Sequence, residues 1–274
     1  MKTVQDLSKG CFINIDKPVG KTSHDIDLIL RKVFKVKKTS HFGTLDPMVT
    51  GILPIALGKG VKLFQYMRSG KEYVGVMRLH EDIDKKKVEE VIKRHFTGKI
   101  KQTPPVKSRV KRVEREREIY SFKILEQEGK NFLFHVDCEA GTYIRKLLHD
   151  LGEKLGIGAH MAELRRVRAG MFNESNIVRI DEIVRAVEAN DEKTLLKHLI
   201  PKEILLKEMK SIDVNEEGMK RVGQGGPLFQ SNLVKKAKVE KGDKVGVLFN
   251  NELIAIHTIV DVERFMAKPD SVLI

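Results

Sequence analysis

The stretch HFGTLDPMVTG, residues 41–51, constrains the fold of this chain more than any other. Gly43 and Gly51 allow backbone angles closed to other residues. Pro47 fixes φ directly after Asp46 and pushes Asp46 itself toward an extended conformation. The stretch therefore reads as a tight loop between two apolar segments, with one acid held at a set angle. Loops of this kind on a rigid scaffold are where catalytic groups tend to sit. Taken alone, the same residues also describe an ordinary turn in which Asp46 accepts backbone N–H bonds from residues 47–50. The rest of the chain decides between the two.

Around the loop, hydrophobic spacing predicts strands and helices that mingle without a regular βαβ repeat. A short strand over 11–15 ends at Lys17-Pro18, and Thr22 or Ser23 then caps an amphipathic helix to about residue 34, with Ile26, Ile29, Leu30 and Val33 on one face. Beyond the loop come an apolar strand at 52–57, a helix at 61–67, an alternating strand at 72–79 and a helix at 86–96. Residues 103–118 start with Pro104-Pro105 and read as an extended basic loop or hairpin. Strands at 119–126 and 132–138 and a helix from about 142 to 155 follow, then a basic stretch at 162–171. This is the pattern of an α+β fold built on a mixed sheet rather than a doubly wound one. A catalytic domain is expected over 1–206. A small, mostly β second domain is expected over 207–274, with a helix at 216–222 and a hairpin turning at Asn250-Asn251.

Composition narrows the class of partner. Lys and Arg total 51 against 38 Asp and Glu, a formal charge of +13, which suits a polyanion through counter-ion release and long-range steering. No apolar run is long enough to cross a membrane, and residues 1–10 lack the apolar core of a signal peptide. Cys11 and Cys138 stand alone inside apolar strand-like segments, which reads as two buried thiols in a reducing cytoplasm. There is no P-loop run, no dinucleotide fingerprint and no nucleophile-elbow serine. The nine histidines fall in no pair at metal-ligand spacing, so a metal site is not expected. His24-Asp25 invites a charge-relay reading, but both sit at a helix start, where capping explains them better.

Three further segments accompany the loop. Lys17 to Ser23 (KPVGKTS) is a basic turn opening a helix whose N-terminal amides suit a phosphate, or else a plain strand-to-helix turn. Lys71-Glu72-Tyr73-Val74 is a strand carrying an aromatic. In residues 137–145 (DCEAGTYIR) a strand turns through Gly141 into a helix with Arg145 in its first turn. A cation there opposes the helix dipole and calls for a partner such as a carboxylate or phosphate. Together, GTLDP with Gly51, GTYIR, and LRRVRAG at 164–170 closely resemble the TruB/dyskerin family of RNA pseudouridine synthases. The resemblance runs strongly from Gly10 to about Gly170, and more loosely over the C-terminal part, where a PUA RNA-binding module would fall. KEYVGVMRLH at 71–80 and PPVKS at 104–108 look like the archaeal dyskerin branch, although Phe42 stands where a small polar residue is expected.

The resemblance implies isomerisation of uridine to pseudouridine without cofactor or metal, the uridine leaving its stack to reach a closed pocket. Asp46 would be the nucleophile, attacking the uracil ring or the ribose anomeric carbon, ionised though partly desolvated, with Arg145 as its counter-ion. Tyr73 would stack on the base and assist removal of the C5 proton. Leu164 would pack against the base and Lys17 would support the pocket loop, while His41 would stack on a displaced base or serve as an ordinary loop histidine. Lys107, Arg109, Lys111 and Arg112 are candidates for a loop closing over the RNA, and Arg165 is a further RNA contact. Three readings stay open. One is the catalytic subunit of an H/ACA ribonucleoprotein, acting on rRNA chosen by guide RNA with three small protein partners. The others are a stand-alone synthase for the tRNA T-loop and a catalytically silent RNA-binding scaffold.

Overall fold

The computed structural model describes Val4 and residues 10–67, 70–104, 111–236 and 238–274. β1 (Gly10–Lys17) is buried along nearly its whole length, as a strand covered on both faces must be. Thr22 caps α1 (Ser23–Val33). Its hydroxyl accepts the Asp25 N–H at 3.0 Å, and the Asp25 carboxylate accepts the Thr22 N–H at 2.8 Å. That capping box accounts for Asp25 and leaves no relay with His24. It also sets a carboxylate on the helix N-terminus, so the turn at 17–23 is a strand-to-helix connection and not a phosphate cradle.

β2 (Thr39–His41), the Asp46 loop and β3 (Thr50–Gly58) follow. Residues Lys59–Tyr66 form a 3-10 helix where an ordinary helix was expected. Its backbone runs so close to β1 that a side chain on Gly60 would meet the Cys11 carbonyl at 2.7 Å. Next come β4 (Lys71–Leu79), α2 (Lys85–His95), β5 (Gly98–Gln102), β6 (Arg115–Glu128), β7 (Asn131–Cys138), α3 (Ile144–Leu155) and β8 (Ala159–Ala169). The basic stretch at 162–171 is thus largely strand. β5 and β6 pair antiparallel from Gly98 opposite Ile119 to Gln102 opposite Arg115, so residues 115–118 of the expected basic loop or hairpin are strand. Lys107 and Arg109 lie outside the described residues. Short strands β9 (Phe172–Asn173), β10 (Val178–Arg179) and β11 (Leu199–Pro201), with α4 (Ile180–Glu188) and α5 (Glu192–His198), complete this part.

The strands form one mixed sheet in the order β10-β1-β3-β8-β4-β7-β6-β5, with β2, β9 and β11 attached at its side. The pairing that matters most for function is β3 with β8, parallel, with Gly51 opposite Arg166. β8 in turn pairs antiparallel with β4, setting Tyr73 opposite Arg166 and Gly75 opposite Leu164. The end of the Asp46 loop, the strand tyrosine and the basic strand therefore meet at one place.

A second sheet, ordered β12-β14-β15-β16-β13, is built from β12 (Ser211–Asp213), β13 (Leu228–Phe229), β14 (Lys244–Phe249), β15 (Glu252–Asp261) and β16 (Met266–Val272), with α6 (Glu216–Gly223) beside it. Asn250 and Asn251 both take positive φ, 50° and 62°, as a two-residue turn between β14 and β15 requires. Phe12, Ile52 and Leu63 share an apolar cluster with Leu253, Ile256 and Leu273, which fastens the second sheet to the first. Among the described residues no helix is long and apolar enough to cross a membrane.

Candidate active site

The Asp46 loop is tied down at almost every residue except Asp46 itself. At its start, His41 bonds through Nδ1 to the Asp27 carboxylate at 2.6 Å and through Nε2 to the Thr44 hydroxyl at 3.0 Å. The Ser23 hydroxyl accepts the Leu45 N–H at 2.8 Å and donates to the Leu45 carbonyl at 3.1 Å. Leu45 and Val49 are buried, and the Val49 N–H closes a turn on the Asp46 carbonyl at 3.0 Å. Lys17 is fully buried, and its ammonium donates to the carbonyls of Pro18 (2.8 Å), Lys21 (2.7 Å) and Pro47 (3.1 Å). Three N–H donors spent on three carbonyls leave Lys17 none for a substrate. It supports the pocket loop, as the resemblance implied, but not as a substrate contact.

The loop's two ends hang on one arginine. Arg166 is wholly buried, and it donates from Nε to the Ile52 carbonyl at 2.7 Å and from Nη2 to the Gly43 carbonyl at 3.0 Å. Gly51 has φ +96°, and a Cβ there would meet the Arg166 carbonyl at 2.2 Å, so no other residue fits. Arg166 had no assigned role in the sequence. Its signal was period-two spacing, because on a strand it must share the inward face of Leu164. Leu164 is itself buried in the main core.

Free of those ties, the Asp46 side chain points to Arg145. The guanidinium Nη2 donates to Asp46 Oδ2 at 2.5 Å, a short charge-assisted bond. Arg145 is the second residue of α3, reached through Gly141 with φ +85°. Asp46 therefore does not spend its carboxylate capping residues 47–50 and is paired with the cation expected for it. Both side chains are about half exposed, 51% for Asp46 and 47% for Arg145, so Asp46 is only partly withdrawn from water in the free chain. Tyr73 lies underneath, buried in the core, with its hydroxyl against the Arg166 guanidinium. Burial raises its pKa, Arg166 opposes the rise, and Asp46 is near enough to add to it. Tyr73 is thus a neutral phenol at the floor of the site, within electrostatic reach of the acid. Phe42 stacks on Phe64 at 5.0 Å, and Lys71 Nζ lies 4.2 Å from the Phe42 ring centroid.

The remaining expected contacts divide. Both ring nitrogens of His41 are engaged within the protein, so it braces the loop in this structure. Arg165 faces away from the site and is held bidentate by Asp16 at 2.9 and 3.2 Å and by Glu174 at 2.8 Å. The Asp16 bonds, foremost, keep its guanidinium more firmly protonated. Two carboxylates already satisfy that fork, so Arg165 joins β1 to β8 and is not an open phosphate contact. Lys111 and Arg112 are exposed, and no ion pair holds either of them among the described residues. Those residues also contain no cluster of three or more groups able to hold a metal ion. Cys11 and Cys138 are free, buried thiols, both pushed up to about 12 by desolvation.

An exposed aspartate set against an arginine at a helix start, above a buried tyrosine, can attack an electron-poor carbon while a phenol handles a proton. Comparison with known proteins gives the family. Residues 31–144 match the TruB family pseudouridylate synthase N-terminal domain, and residues 145–207 match the tRNA pseudouridylate synthase B C-terminal domain. A probable tRNA pseudouridine synthase B of Methanopyrus kandleri is 44% identical over 258 residues, covering 92% of this chain and 73% of the relative. The chain belongs to the TruB family of pseudouridine synthases.

A probable tRNA pseudouridine synthase B of Archaeoglobus fulgidus is 42% identical over 265 residues, covering 94% of this chain and 81% of the relative. Among solved structures, a Cbf5-Nop10-Gar1 complex contains a chain with TM-score 0.85 and 34% identity, the match covering 100% of this chain and 88% of that one. An H/ACA RNP bound to a substrate RNA containing 2'-deoxyuridine gives TM-score 0.82 at 34% identity over 98% of this chain and 86% of that one. The mixed-sheet α+β fold and the mostly β C-terminal part are those of this structural group. The activity is that of an RNA pseudouridine synthase.

Proposed function

We propose that this chain acts as the catalytic subunit of an H/ACA-type ribonucleoprotein, converting uridines of rRNA selected by a guide RNA, with Asp46 as nucleophile. The Arg145–Asp46 bond carries the assignment of the nucleophile. It aims the carboxylate above Tyr73 while Arg166 ties down both ends of the loop. A uridine turned out of its stack would cover Asp46 and complete its withdrawal from water. The Asp46 carboxylate then forms a bond to the ring or to the anomeric carbon, the glycosidic C–N bond breaks, the base turns and forms a C5–C1′ bond, and the bond to Asp46 breaks to return the free carboxylate. The C5 proton leaves with the help of the Tyr73 hydroxyl. Leu164, beside Gly75 on the same inner face, limits the space for the base.

Likeness over the full chain to a Cbf5 subunit solved with Nop10 and Gar1, and to one solved in an RNA-bound H/ACA RNP, supports the guided reading. Small proteins of that kind and a guide RNA are the partners it implies. Residues 1–206 would form the catalytic domain and 207–274 a PUA-like RNA-binding domain, the division falling before β12, where the second sheet starts. Exposed Lys111 and Arg112, at the mouth of the β5–β6 hairpin, are the described candidates for contact with the RNA backbone. A stand-alone action on tRNA is favoured by the names of the archaeal relatives. Tritium release from C5-labelled uridine separates the two. Release only from a guide–target pair with partner proteins supports the guided enzyme, and release from a bare tRNA transcript of equal rate overturns it.

A further inference from the structure

Lys71 opens β4 deep in the site, and no carboxylate answers it among the described residues. Its side chain is 6% exposed. Nζ sits 4.2 Å from the centre of the Phe42 ring. A Cβ built on Gly43 would lie 3.2 Å from Lys71 Nζ and 3.4 Å from Arg166 Nη1, so both nitrogens crowd the same point at the start of the Asp46 loop. That Nη1 is buried without a well-formed hydrogen bond.

The groups facing Lys71 come from four elements: Tyr73 on its own strand, Arg166 and Arg168 on β8, Cys138 on β7, and Phe42 in the loop. Arg168 is neutralised by Glu72 and Asp137. Cys138 stays a thiol and donates to the Lys71 carbonyl, so it contributes no negative charge. Arg166 is held by the Ile52 and Gly43 carbonyls and keeps its charge, since a guanidinium does not give up its proton in a protein. Two buried cations so close together cost more than one. The amine is the one able to yield. Burial first, then Arg166, bring the Lys71 ammonium down to about 7.

We propose that Lys71 is a positioning residue that works as a neutral amine: unprotonated, it packs on Phe42 and lets Arg166 hold Gly43 at the start of the Asp46 loop, whereas protonation sets the two cations against each other, loosens that hold and switches the isomerisation off. The proposal rests on the assignment of Asp46 and Tyr73 given above. It needs no transfer of the C5 proton to Lys71, only its charge state.

Single-turnover tritium release from C5-labelled uridine RNA, from about pH 5.5 to 8.5, tests it on wild type, Lys71→Met and Lys71→Arg. Wild type should show an acid limb with a midpoint close to 7, falling roughly tenfold per pH unit below it. In Lys71→Met the limb should vanish, whatever plateau rate remains. Lys71→Arg, cationic throughout, should be slowed roughly a hundredfold at every pH. Because Lys71→Arg is at risk of misfolding, wild type labelled with 13C at the lysine ε-carbon is titrated by NMR. One lysine resonance should move near neutrality, and it should be missing from Lys71→Met. An acid limb retained in Lys71→Met, or no lysine titrating below about pH 9, overturns the proposal. Wild type that releases no tritium at any pH while the lysine still titrates overturns the assignment of the reaction, and the gating role with it.

Discussion

At the level of single residues, Asp46 and Arg145 divide the work between reactivity and restraint. The guanidinium aims the carboxylate, reaching it from the first turn of α3. Arg145→Ala is expected to lower the single-turnover rate about 10²- to 10³-fold, with a smaller loss for Arg145→Lys, which keeps the charge but not the fork. Tyr73→Phe removes one hydroxyl from a packed core position. Its rate should fall about 10²- to 10⁴-fold in a variant that still folds, with about 1–3 kcal/mol of stability lost because the buried Arg166 guanidinium no longer has the hydroxyl beside it. Lys71 adds a thermodynamic signature. Its pKa falls from 10.5 unfolded to about 7 folded, so between those values the unfolded chain binds more protons. Stability therefore rises with pH across that window, and the part of the rise due to Lys71 should be missing in Lys71→Met, as urea melts at successive pH values would show.

Among the secondary elements, the loop depends on β8 running parallel beside the end of β3. That pairing puts the Arg166 backbone against Gly51 and its side chain across the loop's base. Gly51→Ala forces a Cβ into a carbonyl at a positive φ. It should cost more than about 3 kcal/mol, or prevent folding, as measured by chemical denaturation. The flanking strands, the α1 cap at Thr22, the Asn250-Asn251 hairpin and the turn at Gly141 were all legible, because each is written in residues close together in sequence. A cation at the start of α3 showed that Arg145 needs a partner, while Asp46 as that partner was implied by the family resemblance. Arg166, the carbonyl-bound Lys17 and the Asp27–His41 contact were not legible. Each depends on which strands or turns lie side by side, and local periodicity carries no record of that. Nor was the ion pairing of Arg165 legible, since a basic strand gives no sign that Asp16 lies beside it on β1.

Over the whole molecule, a net charge of +13 is spread on a chain whose site cations are largely spent internally. Affinity for RNA must then come from surface lysines and arginines such as Lys111 and Arg112, and it should be strongly salt-dependent. Replacing both by Ala should weaken binding about equally for every RNA sequence and reduce the slope of log affinity against log salt by up to about 2, read by fluorescence anisotropy over a salt series. The Asp46–Arg145 geometry should be unaffected, since α3 and the loop are fixed by the sheet.

The most direct test is single-turnover tritium release from C5-labelled uridine by wild type and Asp46→Asn, on a guide–target RNA pair and on a tRNA transcript. Release by wild type on at least one substrate, lost by at least about 10³-fold in a folded Asp46→Asn, is the expected result. Release by Asp46→Asn within tenfold of wild type would contradict Asp46 as the reactive group.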